Sequence, residues 1–367
     1  MRHLVTRVVH LLHSLEYGGK ERIVLQLAQH GRAGGDDHQL VLFDQPFRGA
    51  GIDLDPEQVP WHFVRRGGGL DLAFVWRLRR LLRRLAPDAL HAHNDTAMVY
   101  AALAARAYGL RKLRAVTTWH ARPTYITERS RAVTRFCSRW IDAPVAVSTE
   151  LQQLLLQQRW LRRCDLLENG VETERFRPGK DAGGWRQRLG VPDDAFLVAH
   201  IGRFHPCKRQ QDLHAAVQRL AGSAHAVFVG QGETLAAFRA ATAAAPAVHV
   251  VPATGAVADL LRAADAFVLC SDDEAMPMAL LEAMATALPV VVTRIGAMPE
   301  MVSGGALPPA GIVVPVGDTA ALAQELERLR RDPALRAQFG AAGRARVERG
   351  HAFSATWQQY RRLYAPQ

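Results

Sequence analysis

The chain has 367 residues, more than a single hydrophobic core usually organises, so its length predicts two domains. Hydrophobic residues make up 49% and charged residues 22%, as is typical of globular proteins, and no apolar stretch is long and uncharged enough to predict a membrane-spanning helix. The four cysteines form no C-x-x-C pair and no metal-ligand spacing, so they predict reduced thiols in a cytoplasmic protein.

Positive charge is concentrated in the first half of the chain. Residues 1 to 178 carry 27 Lys and Arg against 18 Asp and Glu, whereas residues 179 to 367 carry 19 against 17. A basic half can meet nucleic acid, an anionic membrane surface or a phosphorylated substrate. No nucleic-acid module or aromatic stacking motif accompanies the charge, so we expect no nucleic-acid partner and favour anionic lipid or a lipid-linked phosphate.

The first predicted strand spans residues 7 to 12, and Gly18 and Gly19 follow it just before an apolar-periodic helix. Two glycines permit a tight turn whose backbone amides are open to a ligand, at a helix N-terminus that suits an anion. A glycine pair is also frequent in ordinary turns.

Strands are predicted next at residues 39 to 43 and 59 to 64. Residues 77 to 85 predict a helix with leucines on one face and arginines on the other. Such a helix is either a solvated surface element or a basic face that rests on anionic lipid, and the sequence leaves both interpretations open.

Two further predicted strands, within residues 88 to 94 and 115 to 120, end in polar side chains: His93 and Asn94 on one, His120 on the other. A lone histidine is more often structural than catalytic. The carboxyl ends of parallel strands share one edge of the sheet, however, and substrates bind at that edge. Residues 121 to 139 add five arginines, of which Arg122 is the first, and predict a basic side of a site at this edge.

The second domain is predicted to open with a strand at residues 196 to 201, and the linker lies near residues 178 to 192. Arg203 and Lys208 follow the strand. A guanidinium can bind two phosphate oxygens and an ammonium acts as a mobile point charge, so the loop suits phosphate. A strand and glycine turn at residues 226 to 233, with Gly230, lack the full Rossmann fingerprint and disfavour a nicotinamide enzyme.

An apolar strand at residues 266 to 270 leads into an acidic loop and then into a helix predicted from Pro277 to Ala287. Glu274 lies in the loop and Glu282 lies about two turns along the helix. Ionised carboxylates accept hydrogen bonds from vicinal hydroxyls, so the pair suits a polyhydroxylated ligand. Alternatively, Glu274 only complements the helix dipole and Glu282 is an ordinary surface residue. Closing helices are predicted at residues 318 to 331, 333 to 347 and 354 to 364.

The stretch S-x-x-E, M-P, L-L-E-A-M-A, P-V-V from residue 271 onward resembles the Glu-x7-Glu signature of the retaining glycosyltransferases of family 4. G-G-x-E-R at residues 18 to 22, N-G-V at 169 to 171 and G-R-x-x-x-x-K at 202 to 208 extend the resemblance over almost the whole chain. It implies a GT-B fold of class α/β, with two facing Rossmann-like doubly wound domains and a cleft between them. Residues 1–178 would bind the acceptor, 179–350 the nucleotide sugar, and 351–367 would form a C-terminal helix that crosses back to the first domain.

The resemblance also implies roles for individual residues. Glu274 would bind donor-sugar hydroxyls, Glu282 the nucleotide ribose, and Arg203 with Lys208 the donor pyrophosphate. The implied catalytic residues are His120, Arg203, Lys208 and Glu274. Further donor contacts would come from Gly18, Gly19, Gly230, Ala275, Met276, Pro277, Met278 and Glu282. The expected acceptor contacts are Lys20, His93, Asn94 and Arg122.

The function that we expect is transfer of a hexose-type sugar from a UDP or GDP type donor to a hydroxyl. The acceptor would be a lipid-linked oligosaccharide in bacterial polysaccharide or lipopolysaccharide synthesis, reached from the inner face of the cytoplasmic membrane. No cofactor and no metal are expected, because Arg203 and Lys208 would stabilise the departing diphosphate. Asp53 and Asp55 spell a D-x-D pair, but no apolar strand precedes them. The alternatives are a nucleotide-sugar epimerase of the same fold and a sugar-nucleotide binding protein without turnover.

Two positions depart from the family pattern. Ala275 and Ala287 stand where the family usually has glycine. Because an alanine forced to positive φ costs about 1 kcal/mol, we expect altered loop geometry at these positions rather than lost function.

Overall fold

The computed structural model describes residues 6–16, 18–47, 58–108, 113–123, 127–181 and 183–365. They fold into two α/β units, each built around a parallel sheet. Within these residues the first sheet has seven strands, β1 (Arg7–Leu12), β2 (Asp37–Leu42), β3 (Trp61–Phe63), β4 (Ala89–His93), β5 (Arg114–Trp119), β6 (Ala143–Ala146) and β7 (Asp165–Leu166). Their spatial order is β3-β2-β1-β4-β5-β6-β7, and every neighbouring pair is parallel.

The helices of the first unit lie between these strands. They are α1 (Gly19–Ala33), α2 (Leu72–Leu85), α3 (Asp95–Tyr108), α4 (Glu128–Cys137) and α5 (Thr149–Gln157). Helix α2 begins five residues earlier than the sequence predicted. The reason is local: the Asp71 side chain caps the helix by accepting a hydrogen bond from the backbone N–H of Phe74 at 2.8 Å.

The second sheet has six parallel strands among the described residues, in the order β10-β9-β8-β11-β12-β13. They are β8 (Phe196–Ile201), β9 (Ala224–Val229), β10 (Val248–Val251), β11 (Ala266–Leu269), β12 (Val290–Thr293) and β13 (Gly311–Val314). The strands predicted at residues 196 to 201 and 266 to 270 are thereby confirmed to within one residue. In both sheets the first strand lies centrally, and the chain adds strands first on one side of it and then on the other. This is the doubly wound arrangement expected from the resemblance.

Helices of the second unit cover both faces of its sheet. They are α6 (Trp185–Leu189), α7 (Gln210–Arg219), α8 (Leu235–Thr242), α9 (Val257–Ala263), α10 (Met278–Ala285), α11 (Met298–Ser303), α12 (Thr319–Arg331) and α13 (Pro333–Gly350). Pro277 is the residue before α10 and has extended backbone, so the helix begins one residue later than predicted. Among the described residues, no helix combines the length and apolar composition needed to cross a bilayer.

The last helix, α14 (Phe353–Tyr364), packs against the first sheet although it follows the second in sequence. The hydroxyl of Tyr364 lies 2.8 Å from Nδ1 of His91, and that of Tyr360 lies 3.1 Å from Oγ1 of Thr118. Arg114 also donates to the carbonyl of Leu363. Since β7 ends at residue 166 and β8 begins at residue 196, we propose residue 178 as the end of the first domain.

Candidate functional site

A cavity of about 400 Å³ lies between the two sheets, at the carboxyl ends of their strands. Loops that follow β1, β4 and β5 line one side, and loops that follow β8 and β11 line the other. The cavity brings together most of the residues predicted for the site: Gly18, Gly19, Lys20, Asn94, His120, Arg122, Arg203, Lys208, Glu274, Ala275, Met276, Pro277, Met278 and Glu282.

Two predicted site residues do not line this cavity. Gly230 lies below the loop that carries Arg203. A Cβ atom at Gly230 would lie 2.0 Å from the carbonyl oxygen of Gly202, and its φ is 155°, so only glycine lets the two loops approach this closely. His93 is fully buried behind His120. Both residues thus act, at most, through the residues in front of them.

Lys208 and Glu274 form an ion pair at the end of the second sheet. The Lys208 Nζ lies 2.5 Å from Oε1 of Glu274, and the same oxygen accepts a hydrogen bond from the Ser271 hydroxyl at 2.9 Å. Burial alone would lower the pKa of Lys208, but the adjacent Glu274 carboxylate outweighs it and raises the pKa. Lys208 is therefore a fixed positive charge at neutral pH.

Glu282 is a buried residue of helix α10, and its side chain is only 1% exposed. It pairs with Arg22 of helix α1, which belongs to the first unit, so this ion pair spans the cleft. The interpretation of Glu282 as an ordinary surface residue is wrong. Sequence reasoning did not select Arg22 as a site residue, although it is the last residue of the quoted G-G-x-E-R segment.

Arg203 differs from Lys208 in its exposure. Its side chain is 42% exposed and lies 3.5 Å from the Glu16 carboxylate, across the cleft. A pair this exposed contributes little stability, so the guanidinium can move to another partner at small cost. Arg203 can thus reorient toward an anion that enters the cavity.

Like Arg22, several other residues that line the cavity were missed as site residues by sequence reasoning, among them Asn169, Cys207 and Asp273. Asn169 donates from Nδ2 to the carbonyl oxygen of Met276 at 3.1 Å, which ties the first unit to the loop before α10. The quoted N-G-V segment was the available signal for it. Burial raises the pKa of Asp273, and nearby Arg122 opposes that shift.

The glycine pair lies where the first unit approaches the second. A Cβ atom at Gly18 would lie 2.4 Å from Oε2 of Glu21, and one at Gly19 would lie 3.3 Å from Cγ of Met278. Neither glycine has a positive φ among the described residues. Gly19 is favoured here by its close approach to Met278 rather than by a left-handed backbone, whereas the flexible side chain of Glu21 could move away from a Cβ atom at Gly18.

On the first unit's side, Asn94 and Arg122 are held by partners of their own. Asn94 adopts a left-handed conformation with φ 70°, and its Oδ1 accepts a hydrogen bond from the backbone N–H of His120 at 2.8 Å. Arg122 forms an ion pair with Glu150. The other arginines of residues 121 to 139 do not line the cavity. The predicted acceptor side is therefore narrower than the arginine-rich segment suggested.

A chain of histidines runs from the cavity into the first sheet. His120 lines the cavity, and its Nε2 lies 3.1 Å from Nδ1 of His93. Nε2 of His93 lies 3.2 Å from Nδ1 of His10, and Nε2 of His10 lies 3.0 Å from Nδ1 of His38. Burial lowers the pKa of all four, to about 3 for His38 and His120. These imidazoles are therefore neutral at pH 7.

Within the described part of the chain, one group of side chains is close enough to share a metal ion: His10, His91 and His93, whose ligand atoms lie within 4.8 Å of one another. Both ring nitrogens of each are already engaged in hydrogen bonds, with Tyr364 and Thr118 as partners of His91. A cation would have to break several of these bonds in a fully buried site. Asp53 and Asp55 of the D-x-D spelling lie outside the described residues.

The two alanines that depart from the family pattern behave differently. Ala275 keeps a negative φ, and the close approach to its loop is made by Gly296, where a Cβ atom would lie 1.9 Å from the carbonyl oxygen of Glu274. Ala287 adopts the left-handed conformation itself, with φ 60°. The expectation of altered loop geometry is wrong at Ala287, because the alanine accepts the strained backbone instead.

Comparison with known proteins agrees with this geometry. A family model described as Glycosyltransferase Family 4 matches residues 17–175, and one described as Glycosyl transferases group 1 matches residues 195–332. The chain belongs to glycosyltransferase family 4. Its fold is GT-B, with two parallel-sheet Rossmann-like domains that face each other across the cleft.

Among the relatives of this family 4 member is the sulfoquinovosyl transferase SQD2 of Arabidopsis thaliana, 27% identical over 294 residues, which are 76% of this chain and 57% of the plant protein. A D-inositol 3-phosphate glycosyltransferase of Streptomyces bingchenggensis is 30% identical over 197 residues, 49% of this chain and 43% of the relative. The chain thus spans about half the length of these two relatives. Anabaena HepE, solved with UDP and glucose, superposes with a TM-score of 0.81 at 19% identity, covering 97% of this chain and 98% of HepE.

Proposed function

We propose that the protein is a retaining hexosyltransferase that moves a sugar from a nucleotide-diphosphate donor to a hydroxyl acceptor. One observation carries the proposal: a single cavity gathers two cations, Arg203 and Lys208, and two carboxylates, Glu274 and Glu282, opposite the glycine turn of the first domain. Cations suit a diphosphate, and carboxylates suit sugar and ribose hydroxyls.

In the proposed reaction the two cations stabilise the leaving group. The bond between the anomeric carbon and the diphosphate oxygen breaks, and the negative charge that develops on that oxygen is balanced by Lys208 and Arg203. The acceptor oxygen bonds to the anomeric carbon on the same face of the sugar, and its proton passes to the departing phosphate. Neither step requires a cofactor. The raised pKa of Lys208 favours this role because the ammonium stays charged over the working pH range.

The carboxylates would position the donor. Glu274 would accept hydrogen bonds from sugar hydroxyls beside the ion pair with Lys208, so that one anchored unit contacts both the phosphate and the sugar. Glu282 would bind the ribose, and its ion pair with Arg22 orients the carboxylate. Support for a uridine nucleotide comes from Anabaena HepE, whose structure contains UDP and glucose.

The acceptor would enter from the first domain, past Lys20, Asn94 and Arg122, which line that side of the cavity. His93 is too deeply buried to touch an acceptor and would act only through His120. Of these groups Lys20 is cationic and Asn94 is neutral, so the side suits a hydroxyl beside a phosphate or a carboxylate.

An exposed surface on the same domain supports a lipid-linked acceptor. Leu72 and Trp76, one turn apart at the start of helix α2, are 67% and 59% exposed and form a small apolar patch. Arg80 stacks over the Trp76 ring at 5.9 Å, and Arg83 and Arg84 extend the basic face. Exposed aromatic and aliphatic groups beside arginines match an anionic membrane surface, so we propose that the enzyme works at the inner face of the cytoplasmic membrane.

The test is incubation of the purified chain with labelled UDP, GDP and ADP sugars and a bacterial membrane extract. Label in the lipid fraction is the expected result. An isomerised free donor would identify an epimerase instead, and binding without product would identify a binding protein. A thermal-shift series with UDP, GDP and ADP selects the base, because a nucleotide that binds only the folded protein raises its Tm.

A further inference from the structure

The histidine chain crosses four adjacent strands of the first sheet. His38 lies on β2, His10 on β1 and His93 on β4, and His120 follows β5 directly. Each contact joins one Nδ1 to one Nε2, at 3.0 to 3.2 Å, so the chain is linear and unbranched. It begins at buried His38 and ends at His120, in the cavity that we assign to the nucleotide-sugar donor.

The protons of such a chain are coupled. A neutral imidazole carries one N–H and one bare nitrogen, so it donates on one side and accepts on the other. Burial disfavours the cationic form of each ring. The direction of any one N–H···N bond therefore fixes the direction of the other two.

The surroundings of His38, at the buried end of the chain of histidines, determine the direction of the three N–H···N hydrogen bonds. Within the described part of the chain, Nε2 of His38 has no hydrogen-bond partner. It lies directly against Gly31, where an added Cβ atom would be only 2.1 Å away. A Cα–H group can act as a weak donor to a bare nitrogen but offers no lone pair to an N–H. A proton on this nitrogen would be a buried donor without an acceptor, which is costly, so His38 carries its proton on Nδ1.

We propose that the four histidines form a tautomer relay in which His38 fixes His120 as an Nδ1–H hydrogen-bond donor to the cavity. His38 donates to His10, His10 to His93, and His93 to Nε2 of His120. His120 then has no bare nitrogen for the cavity, so it cannot act there as a base. His38, His10 and His93 are positioning residues for His120.

The relay gives a reason for a row of buried imidazoles that would otherwise cost stability. An N–H group at this place selects an oxygen atom of the bound molecule that can accept a hydrogen bond, such as a sugar hydroxyl or ring oxygen. That use of the donor rests on the proposed function, whereas the relay itself rests only on the four side chains and Gly31.

The direct test is two-bond ¹H–¹⁵N correlation spectroscopy of the full chain labelled with ¹⁵N-histidine, at pH 7 and without substrate. The spectrum distinguishes protonated from bare ring nitrogens, and His120→Phe assigns the His120 signals. We expect His120 in the Nδ1–H form. A spectrum with its proton on Nε2 would overturn the relay, whatever the outcome of the transferase assay.

A variant series tests the long-range part of the relay. His38→Leu removes the buried end, so the ratio of Nδ1–H to Nε2–H at His120 should fall about tenfold or more. His225→Leu is the matched control, since it removes a similar contact of 3.1 Å with His249 in the other sheet and should leave His120 unchanged. An unchanged ratio in folded His38→Leu would contradict the relay. If that variant does not fold, the wild-type spectrum still decides the tautomer of His120.

Discussion

The two sides of the cleft hold their polar groups in different ways. On the second domain, Lys208 and Glu274 of two neighbouring loops form an ion pair, and the carboxylate raises the pKa of Lys208, so its ammonium stays charged at neutral pH. On the first domain, the groups behind the cavity are neutral imidazoles that belong to four strands. An anion is thus met by fixed charge on the second domain, while on the first domain the neutral imidazole of His120 lines the cavity beside the cations Lys20 and Arg122. This contrast matches the proposed division between donor and acceptor.

The largest effect should come from acid, and it should be greater in the first domain, where four buried histidines lie close together, than in the second, where buried His200 has a pKa lowered to about 4. His10, His38, His91 and His93 are buried and have lowered pKa values, so the unfolded chain binds protons that the folded chain refuses. Their contribution to stability is complete above pH 6.5 and is lost as the pH falls toward about 3. Each histidine lowers the free energy of unfolding by up to about 1.4 kcal/mol for each pH unit below 6.5.

Urea unfolding at pH 7.5 and pH 5.5 measures the loss in free energy of unfolding. Hydrogen exchange of separate peptides at the same two pH values shows which strands lose protection. Peptides from β1, β2 and β4 should lose protection first, after correction for intrinsic exchange rates. Equal protection of both sheets at pH 5.5, with an unchanged free energy of unfolding, would contradict the contrast between the two sides.

The next effect tests the charged side. Lys208→Met removes a cation from the leaving group and leaves the Glu274 carboxylate without its partner. We expect kcat to fall about 10²- to 10³-fold, since the lost stabilisation is that of developing charge. Lys180→Met, at an exposed lysine near the linker, is the matched control and should retain activity. Circular dichroism checks that both variants are folded, and a near-normal kcat for Lys208→Met would remove this residue from the mechanism.

Much of the fold could be predicted from sequence because its signals are local. Buried parallel strands such as β8 and β11 are short apolar runs bounded by polar turns, and they were located to within one residue. Element ends were less accurate, as at helix α2, because a cap such as Asp71 depends on one side chain outside the apolar pattern.

The site residues also divide into those that local sequence motifs predict and those that depend on distant contacts. Arg203, Lys208, Glu274 and Glu282 lie in compact motifs within one domain, and the structure brings all four to one cavity. The partnership of Arg22 with Glu282 joins residues 260 positions apart, and no local pattern encodes such a contact. The histidine chain was missed for the same reason: it depends on the strand order β2-β1-β4-β5, which single-strand patterns do not give.

A third prediction concerns the exposed surface of the first domain. Arg80, Arg83 and Arg84 changed together to Glu should weaken binding to anionic vesicles by about 1 kcal/mol for each arginine removed, and by more through repulsion. Flotation with vesicles that contain phosphatidylglycerol measures the bound fraction. The control changes Arg328 and Arg331 to Glu, since both are exposed arginines of helix α12 in the second domain. Unaltered recovery of the first variant would exclude this face as the membrane contact.

A smaller effect is expected at the ion pair that spans the cleft. Glu282→Gln keeps the shape of the side chain but removes the charge that pairs with Arg22 and would accept the ribose hydroxyls. We expect KM for the donor to rise about tenfold, with a smaller change in kcat, because charged hydrogen bonds exceed neutral ones. Glu325→Gln on helix α12 is the control. A fall in kcat with constant KM would place Glu282 in the chemical step instead of in ribose binding.

The smallest effect tests whether Ala287, which stands where the family usually has glycine, lowers the stability of the second domain. Ala287 holds a left-handed φ of 60°, which is unfavourable for any residue with a Cβ atom, so Ala287→Gly should raise the free energy of unfolding by up to about 1 kcal/mol. Ala285→Gly, at the last residue of helix α10, should lower it by up to about 1 kcal/mol. Urea unfolding compares the two variants. The carbonyl oxygen of Ala287 also packs closely against Gly340, where a Cβ atom would be 2.1 Å away. A loss of stability in both variants would mean that the left-handed turn is not strained.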